Sequence, residues 1–444
     1  MSETDPLAAD ALTGPLALHV PRQRWFSGGE DDLVSLEVTS VEPLDGQEPA
    51  LAQVLVRTRV GDDDATYQLV LSACPAGEMP EALDGRPEAV VYIGEGWVVY
   101  DAMVDPELGR RVLARVAPAE HAERARPLLS EQSNTSVVYD ERLILKLFRR
   151  VVDGPNPDAE VTRALAATGF ANVARPVAEW SDGERDFAIV SIFLAGASDG
   201  FHLALTSLRD LFDTGGDPAE AGGDFGPDAR RLGIVTAKLH LALAEAFGTW
   251  PADPAAWADD MEDHLARVPL DEVDPERVRS VYERLRHLSD PGVAIRVHGD
   301  YHLGQVLRTD AGWFVLDFEG EPDRPLEARR RPSSPMRDVA GMVRSFHYAA
   351  QVARREYGDD PGGSSQSLAD AWERHNAFAF VEGYLAADGI DALLPAEADH
   401  RELVLGAFEL DKAVYEVGYE QGHRPDWADI PLTAVRRVLE LEPQ

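Results

Sequence analysis

Two short stretches carry the residue types that phosphoryl transfer requires. His298-Gly299-Asp300-Tyr301-His302-Leu303-Gly304-Gln305 is followed by Val315-Leu316-Asp317-Phe318-Glu319-Gly320. An isolated carboxylate at Asp300 could align an attacking hydroxyl and accept its proton. Gln305 and Asp317 offer a neutral and a charged oxygen suited to hard Mg²⁺, and Glu319 could complete the shell directly or through water. Taken singly, each acid reads as a turn cap or a surface strand end; the ordered set of acid, amide and acid points to catalysis. His298 and His302 have the spacing of a helical zinc pair. Gly299 and Gly304 make that segment non-helical, however, and no glutamate lies between the histidines. His298 is expected to brace the loop, and His302 either lies near the substrate or is a satisfied structural histidine.

A nucleotide needs cationic and backbone donors, and the upstream sequence supplies candidates. Lys146 sits inside the apolar run Leu143–Phe148, where a charge is costly unless paired. It could reach the α/β phosphates, with Glu160 on the following helix as counter-ion; a sheet-edge lysine guarding against aggregation is the simpler alternative. Ser133, Asn134, Thr135 and Ser136, at the end of Glu131–Ser136, could turn the backbone and donate to phosphate oxygens. The segment has no glycine, so neither a Walker loop nor a glycine-rich kinase loop is present. The run Phe187–Leu194, with Ser191 and Phe193, fits a hinge whose backbone could bond adenine.

Near the C-terminus, Glu409–Glu420 reads as a helix with Tyr415 and Tyr419 one turn apart, Lys412 and Glu416 on an adjacent stripe, and Trp427 following. Rings that stack on apolar faces and charges that fork onto hydroxyls suit a sugar. An amphipathic helix with a surface ion pair accounts for the same spacing.

The elements that must hold these residues fall in a definite order. Residues from about 20 to 103 are β-rich, with strands expected at Leu33–Val41, Ala52–Val60, Thr66–Leu71, Ala89–Ile93 and Trp97–Tyr100. Ser136–Tyr139 and Leu143–Phe148 suggest a hairpin, and a helix is expected over Ala159–Thr168. Loops are expected from Gly215 to Pro227 and from Asp359 to Ser367. The pattern is mainly helical from Ala229 on, including 335–357. Strands first and helices later predict an α+β, two-lobed fold.

Composition limits the partners. The chain has 444 residues, with 44% hydrophobic and 27% charged, a globular balance. Its net charge of −37 repels nucleic acid and anionic membranes. Cys74, the single cysteine, excludes an intramolecular disulfide and fits a reducing compartment. No basic leader region stands at the N-terminus and Pro15 interrupts its apolar stretch, so a cytoplasmic protein is expected. Only Lys146, Lys238 and Lys412 are lysines, against 39 arginines, so a lysine in a special position is not filler.

These motifs resemble the actinobacterial maltokinases, relatives of the aminoglycoside phosphotransferases within the eukaryotic-like kinase superfamily. The resemblance rests on Gln23-Arg24-Trp25-Phe26, Glu131–Ser136, His298–Gln305, Asp317–Pro322, Arg337–Gly341 with Arg344-Ser345-Phe346, and Glu409–Glu416. It implies a two-lobed protein-kinase-like fold: a cap over 1–103, a nucleotide-binding intermediate subdomain over 104–195, and a helical lobe over 196–444. It implies ATP and Mg²⁺ as cofactors and phosphorylation of maltose at its anomeric hydroxyl, giving maltose 1-phosphate for α-glucan synthesis. A functional link to trehalose synthase and maltosyltransferase follows from the same resemblance. Carried over by motif, Asp300 is the base, Gln305 and Asp317 the metal ligands, and Lys146 the nucleotide lysine; Arg337 or the Tyr415–Trp427 region contacts sugar. Tyr301 and the hinge Ser191–Leu194 depart from the family pattern. Two alternatives remain: a kinase of glucosamine or an aminoglycoside, or a silent nucleotide-binding protein.

Overall fold

Short runs rich in β-branched and apolar residues, separated by Gly, Asp and Pro clusters, make sheets of the N-terminal part. The computed structural model describes residues 5–128, 133–221, 223–270, 273–321, 324–358 and 364–441. The chain divides into two compact units, residues 1–160 with 174–195, and residues 161–173 with 196–444. The expected α+β class is the one observed, with an N-terminal antiparallel sheet and a helical C-terminal part.

In the first unit, strands Leu33–Pro43, Leu51–Val60, Asp63–Pro75, Trp97–Asp101 and Val90–Gly94 form an antiparallel sheet in that order. The helix Ala9–His19 packs on it through Leu12 and Leu16. A second antiparallel sheet orders Pro176–Ser181, Asp186–Ile192, Leu143–Phe148, Asn134–Tyr139 and Ala125–Leu128. Its central hairpin turns at Asp140 and Glu141, both at φ 51°. That left-handed pair is steadied by the Asp140 carboxylate, which accepts from Glu123 N and Arg124 N at 3.0 and 2.9 Å. The lysine strand Leu143–Phe148 runs on into the first sheet, where Arg150 and Val151 pair with Tyr67 and Thr66.

The second unit is a helical bundle around a core that includes Trp313, Phe346, Trp372 and Phe380. Its longest helices are Gly226–Phe247, Met336–Tyr357, Ser364–Leu385 and Ala398–His423. A three-stranded sheet, Ser198–Asp199, Val306–Thr309 and Gly312–Val315, carries the catalytic candidates. Of the loop expected from Asp359 to Ser367, residues 359–363 lie outside the described set. Ser364 to Ser367 form the first turn of a helix instead, because Leu368, Ala369 and Trp372 pack into the core and draw it into register. Among the described residues no helix is long and apolar enough to cross a membrane.

Candidate active site

In the second unit the backbone around Asp300 is fixed from behind by one buried carboxylate. Asp338, 1% exposed on helix Met336–Tyr357, accepts from His298 N at 2.7 Å and from Gly299 N at 2.9 Å. It also meets His240 Nε2 at 3.1 Å, and His240 Nδ1 meets the Tyr384 hydroxyl at 2.8 Å. Burial alone would raise the Asp338 pKa; the His240 hydrogen bond and nearby charges hold it below the ordinary value, so the group is a carboxylate. Gly299, at φ +89°, takes a conformation that side chains resist. Gly341 lets the same helix approach the loop, since a Cβ there would lie 2.6 Å from the Tyr301 carbonyl oxygen.

The tautomer of His298 follows from its partners. Its Nε2 lies 2.9 Å from the Leu316 carbonyl, which only accepts, so Nε2 carries the proton and Nδ1 accepts from Asp300 N at 3.4 Å. His298 therefore braces the loop, as the sequence suggests, and ties it to the segment leading into Asp317. His302 Nδ1 accepts from Gly304 N at 3.1 Å, and its Nε2 stands 3.8 Å from Asp300 Oδ2.

Beyond strand Gly312–Val315 the chain turns at Asp317, a non-glycine residue at φ +60°. Left-handed backbone is held only where the surroundings determine it, and it clusters at functional sites. Gln305 Nε2 donates to Asp317 Oδ2 at 3.3 Å, so amide and carboxylate share one locus. Glu319 is two residues further on. Carboxylate and amide oxygens are the donors Mg²⁺ takes, and in chemistry this set fits that ion.

A pocket lined by Tyr301, Glu321, Arg324, Arg337, Lys412 and Tyr415 lies beside Asp300. Lys412 Nζ donates to Glu321 Oε1 at 2.8 Å and to Asp300 Oδ1 at 3.4 Å. Glu321 Oε2 accepts from Arg324 at 2.6 Å and from Arg337 at 2.9 Å. Burial would raise the Glu321 pKa, but Lys412, Arg337 and Arg324 hold it well below the carboxylate range. Burial would lower that of Lys412, but Glu321 and Asp300 hold it above the ordinary value. Both groups are thus charged. Lys412 also stands 5.1 Å from the centroid of the Tyr415 ring.

The expected acceptor residues do not all gather here. Arg337, Lys412 and Tyr415 line the pocket. Glu416 accepts from Arg344 at 2.6 Å. Tyr419 stacks on His423 at 4.3 Å, and Trp427 stacks on Tyr348 at 6.2 Å with Arg355 and Arg424 over it. Tyr419 and Trp427 stand outside the lining. Glu321 and Arg324 line it without having been singled out; Asp411, an acid of the expected Glu409–Glu420 helix, lines it as well, and His264 joins them through Asp411. Only Glu321 left a sequence signal, as the last acid of Asp317-Phe318-Glu319-Gly320-Glu321.

The first unit holds the nucleotide candidates. Lys146 Nζ lies 2.8 Å from Asp158 Oδ2, an acid on the same helix as the expected counter-ion Glu160. Asp158 is at the start of the helix Pro157–Ala167, where Asn156 Oδ1 accepts from its N–H at 2.9 Å. Ser136 faces Lys146 across the sheet, and its buried hydroxyl has no hydrogen-bond partner among the described residues. The expected phosphate loop is shorter than its motif: Asn134, Thr135 and Ser136 already belong to a strand, because Thr135 and Ser136 pair with Leu147 and Lys146. Ser133 precedes that strand, exposed, while Glu131 and Gln132 lie outside the described residues. Thr135 Oγ1 accepts from Arg149 Nε at 2.8 Å. Ser191 lies in strand Asp186–Ile192, paired with Ile144. Phe193 N donates to the Arg142 carbonyl at 2.8 Å and Ile192 N to Arg175 at 2.9 Å, so these two hinge N–H groups are already engaged.

Comparison with known proteins follows the same lines. Residues 19–105 match the model of the maltokinase N-terminal cap domain. The chain is 30% identical over 339 residues to a glucosamine kinase from Streptacidiphilus jiangxiensis, spanning 71% of this chain and 73% of that protein. It is 28% identical over 343 residues to a glucosamine kinase from Mycolicibacterium smegmatis, spanning 72% and 81%. Among solved structures, a glucosamine kinase in crystal form A superposes with TM-score 0.66 at 25% identity, covering 91% of this chain and 93% of that one. A glucosamine kinase in complex with glucosamine, ADP and inorganic phosphate gives 0.62 at 23% identity, covering 97% and 99%.

Proposed function

We propose that this chain, which belongs to the maltokinase-like kinase family that includes the glucosamine kinases, transfers the γ-phosphoryl group of ATP to a sugar hydroxyl. The acceptor in this reading is maltose and the nucleophile its anomeric hydroxyl, giving maltose 1-phosphate. One observation carries the reaction class: a carboxylate at Asp300, braced from behind by Asp338 and His298, opens beside a polar, aromatic-edged pocket. The match to a maltokinase cap supports maltose. The names of the relatives favour a second reading, with glucosamine as acceptor.

In this reading residues 1–103 form the cap, 104–195 bind nucleotide, and 196–444 hold the catalytic and acceptor groups. Lys146 neutralises phosphate charge, and Ser133 to Ser136 with Ser191 and Phe193 border the nucleotide. Asp300 orients the acceptor hydroxyl and receives its proton as the oxygen attacks phosphorus. Gln305, Asp317 and Glu319 would hold Mg²⁺, which when bound offsets charge on the phosphoryl oxygens. Tyr415 offers a ring face to the sugar, and Arg337 and Lys412 offer donors to its hydroxyls.

The test is ATP consumption against maltose, glucose, glucosamine and kanamycin, with the Asp300→Asn variant beside the native chain. We expect turnover with maltose and a loss of about 10²–10⁴-fold in the variant, the range of a general base. Unimpaired turnover by Asp300→Asn would remove the base role, and indifference to every sugar would sink the reading.

A further inference from the structure

The acceptor pocket contains its own ammonium ion. Asp300 and Glu321 both contact Lys412, and the second Glu321 oxygen is shared by Arg324 and Arg337. Asp411, the remaining carboxylate of the lining, meets His264 Nδ1 at 2.9 Å. Arg324 approaches His264 Nε2 at 3.4 Å and can only donate, so Nδ1 bears the proton and the ring is neutral. Among the described residues of the lining, together with Asp300, formal charges balance: Asp300, Glu321 and Asp411 against Lys412, Arg324 and Arg337.

The other acids on helix Ala398–His423 that could receive a cation are engaged elsewhere. Glu416 is held by Arg344, and Glu420 by Arg424 at 2.7 Å and the Tyr348 hydroxyl at 3.4 Å. Burial pushes Glu409 up to about 7, and its charged surroundings are Arg344, Glu373 and Arg437 rather than the groups around Lys412.

An aminosugar brings a second ammonium into this space. It must either find a carboxylate not already bonded or displace Lys412 from Glu321 and Asp300. A charge left unpaired in a partly dry site is costly, and three cations within the same cluster add repulsion. A neutral sugar meets none of this, because hydroxyls accept from Lys412, Arg324 and Arg337 and donate to the same carboxylates. Rejection of this sort is how specificity is commonly built, by a repulsive element as much as by an attractive one.

We propose that Lys412 is the specificity-determining residue of the acceptor pocket, standing where a sugar ammonium would need to sit, so that the site takes neutral sugars and rejects aminosugars. This rests on the reading of the pocket as the acceptor site of a sugar kinase. The matched comparison is glucose against glucosamine, measured as kcat/KM or, where turnover is slow, as inhibition of maltose phosphorylation. The native chain should favour glucose by about 100-fold or more, and Lys412→Met should narrow that ratio about 10-fold, mainly through the KM or Ki of glucosamine. Lys412→Arg, which keeps the charge, should keep the discrimination. If Lys412→Met does not fold, the native ratio at pH 6 and pH 9 decides, since the aminosugar loses its charge across that range and the ratio should fall. Equal use of glucose and glucosamine by the native chain, or a ratio unmoved by Lys412→Met or by pH, would overturn the proposal and leave the sugar-kinase reading standing. A native chain that phosphorylates no sugar overturns both.

Discussion

Replacing Asp338 by Asn tests whether the catalytic loop is positioned from behind. The carboxylate divides its work: Oδ1 accepts from Gly299 N, while Oδ2 accepts from His298 N and meets His240 Nε2. An amide keeps one oxygen. Placed to serve His298 and His240, it turns its NH₂ against the Gly299 N–H and leaves that donor buried and unpaired. A hydrogen bond to a charged group contributes about 1.5–3 kcal/mol, and an unsatisfied buried donor costs about 1–3 kcal/mol. Together these come to about 2.5–6 kcal/mol, a large part of a typical folding free energy, and Tm should fall by about 5–20 °C. Gly299 immediately precedes Asp300, so its release also shifts the base. A misplacement of about 1 Å can cost about 100-fold in rate. We therefore expect kcat at 20 °C below the native value by 10-fold or more while the variant remains folded. Tyr384→Phe is the control: it removes the hydroxyl from His240 Nδ1, one bond further from the loop, and should lower Tm with kcat nearly intact. Calorimetry and steady-state kinetics read both quantities. A variant with lowered Tm and full kcat would show that Asp338 stabilises the unit without positioning Asp300.

Two further outcomes are expected. Lys146→Met removes the ammonium that Asp158 holds at 2.8 Å and should raise the KM for ATP about 10-fold or more, with the acceptor KM little changed; an effect on the acceptor alone would relocate the nucleotide site. Glu409 has a folded-state pKa raised by burial to about 7, so its stabilising contribution is complete below its unfolded value near 4.5 and is lost as pH rises through 7. Glu409→Gln should leave Tm nearly unchanged at pH 4.5 and raise it at pH 8, and parallel pH–Tm curves for variant and native chain would contradict that assignment.

What the sequence discloses depends on whether a signal is local. Strand Leu143–Phe148 and helix Met336–Tyr357 were readable because a short apolar run in the one, broken only by Lys146, and helical spacing of apolar residues in the other decide them within a few residues. Helix Ala9–His19 was not foreseen: it contains Pro15, yet Leu12 and Leu16 bury against the N-terminal sheet and override propensity. The proposed catalytic motif stood out as an ordered set, and two of its members, Gln305 and Asp317, meet in the structure. The proposed acceptor pocket was legible only in part: Arg337, Lys412 and Tyr415 were expected there, but His264, Glu321 and Arg324 come from separate segments whose meeting leaves no spacing. Asp338 had a visible signal, a carboxylate on the apolar stripe of Val339, Met342 and Phe346, where a charge must be bonded. Asp158 was missed because Glu160 shares its helix turn, and sequence alone cannot rank two acids so close to Lys146.

The scarcity of lysine acquires a physical meaning from these placements. Lys238 is exposed on helix Gly226–Phe247, but Lys146 and Lys412 each sit on carboxylates at the two candidate half-sites. Arginine fills nearly every other cationic position, including the pair that clamps Glu321. A guanidinium locks a carboxylate in a fixed planar fork, which suits a permanent support. An ammonium is a compact point charge with rotatable donors on a flexible stem, and it can pass from a carboxylate to a ligand oxygen with small movement. A nucleotide lysine must accept phosphate each turnover, and a pocket lysine must share donors with each arriving sugar. On the proposed reading the two lysines stand where the partner changes during the reaction, whereas arginine supplies most of the fixed pairings and, at Arg324 and Arg337, shares its donors between Glu321 and the sugar.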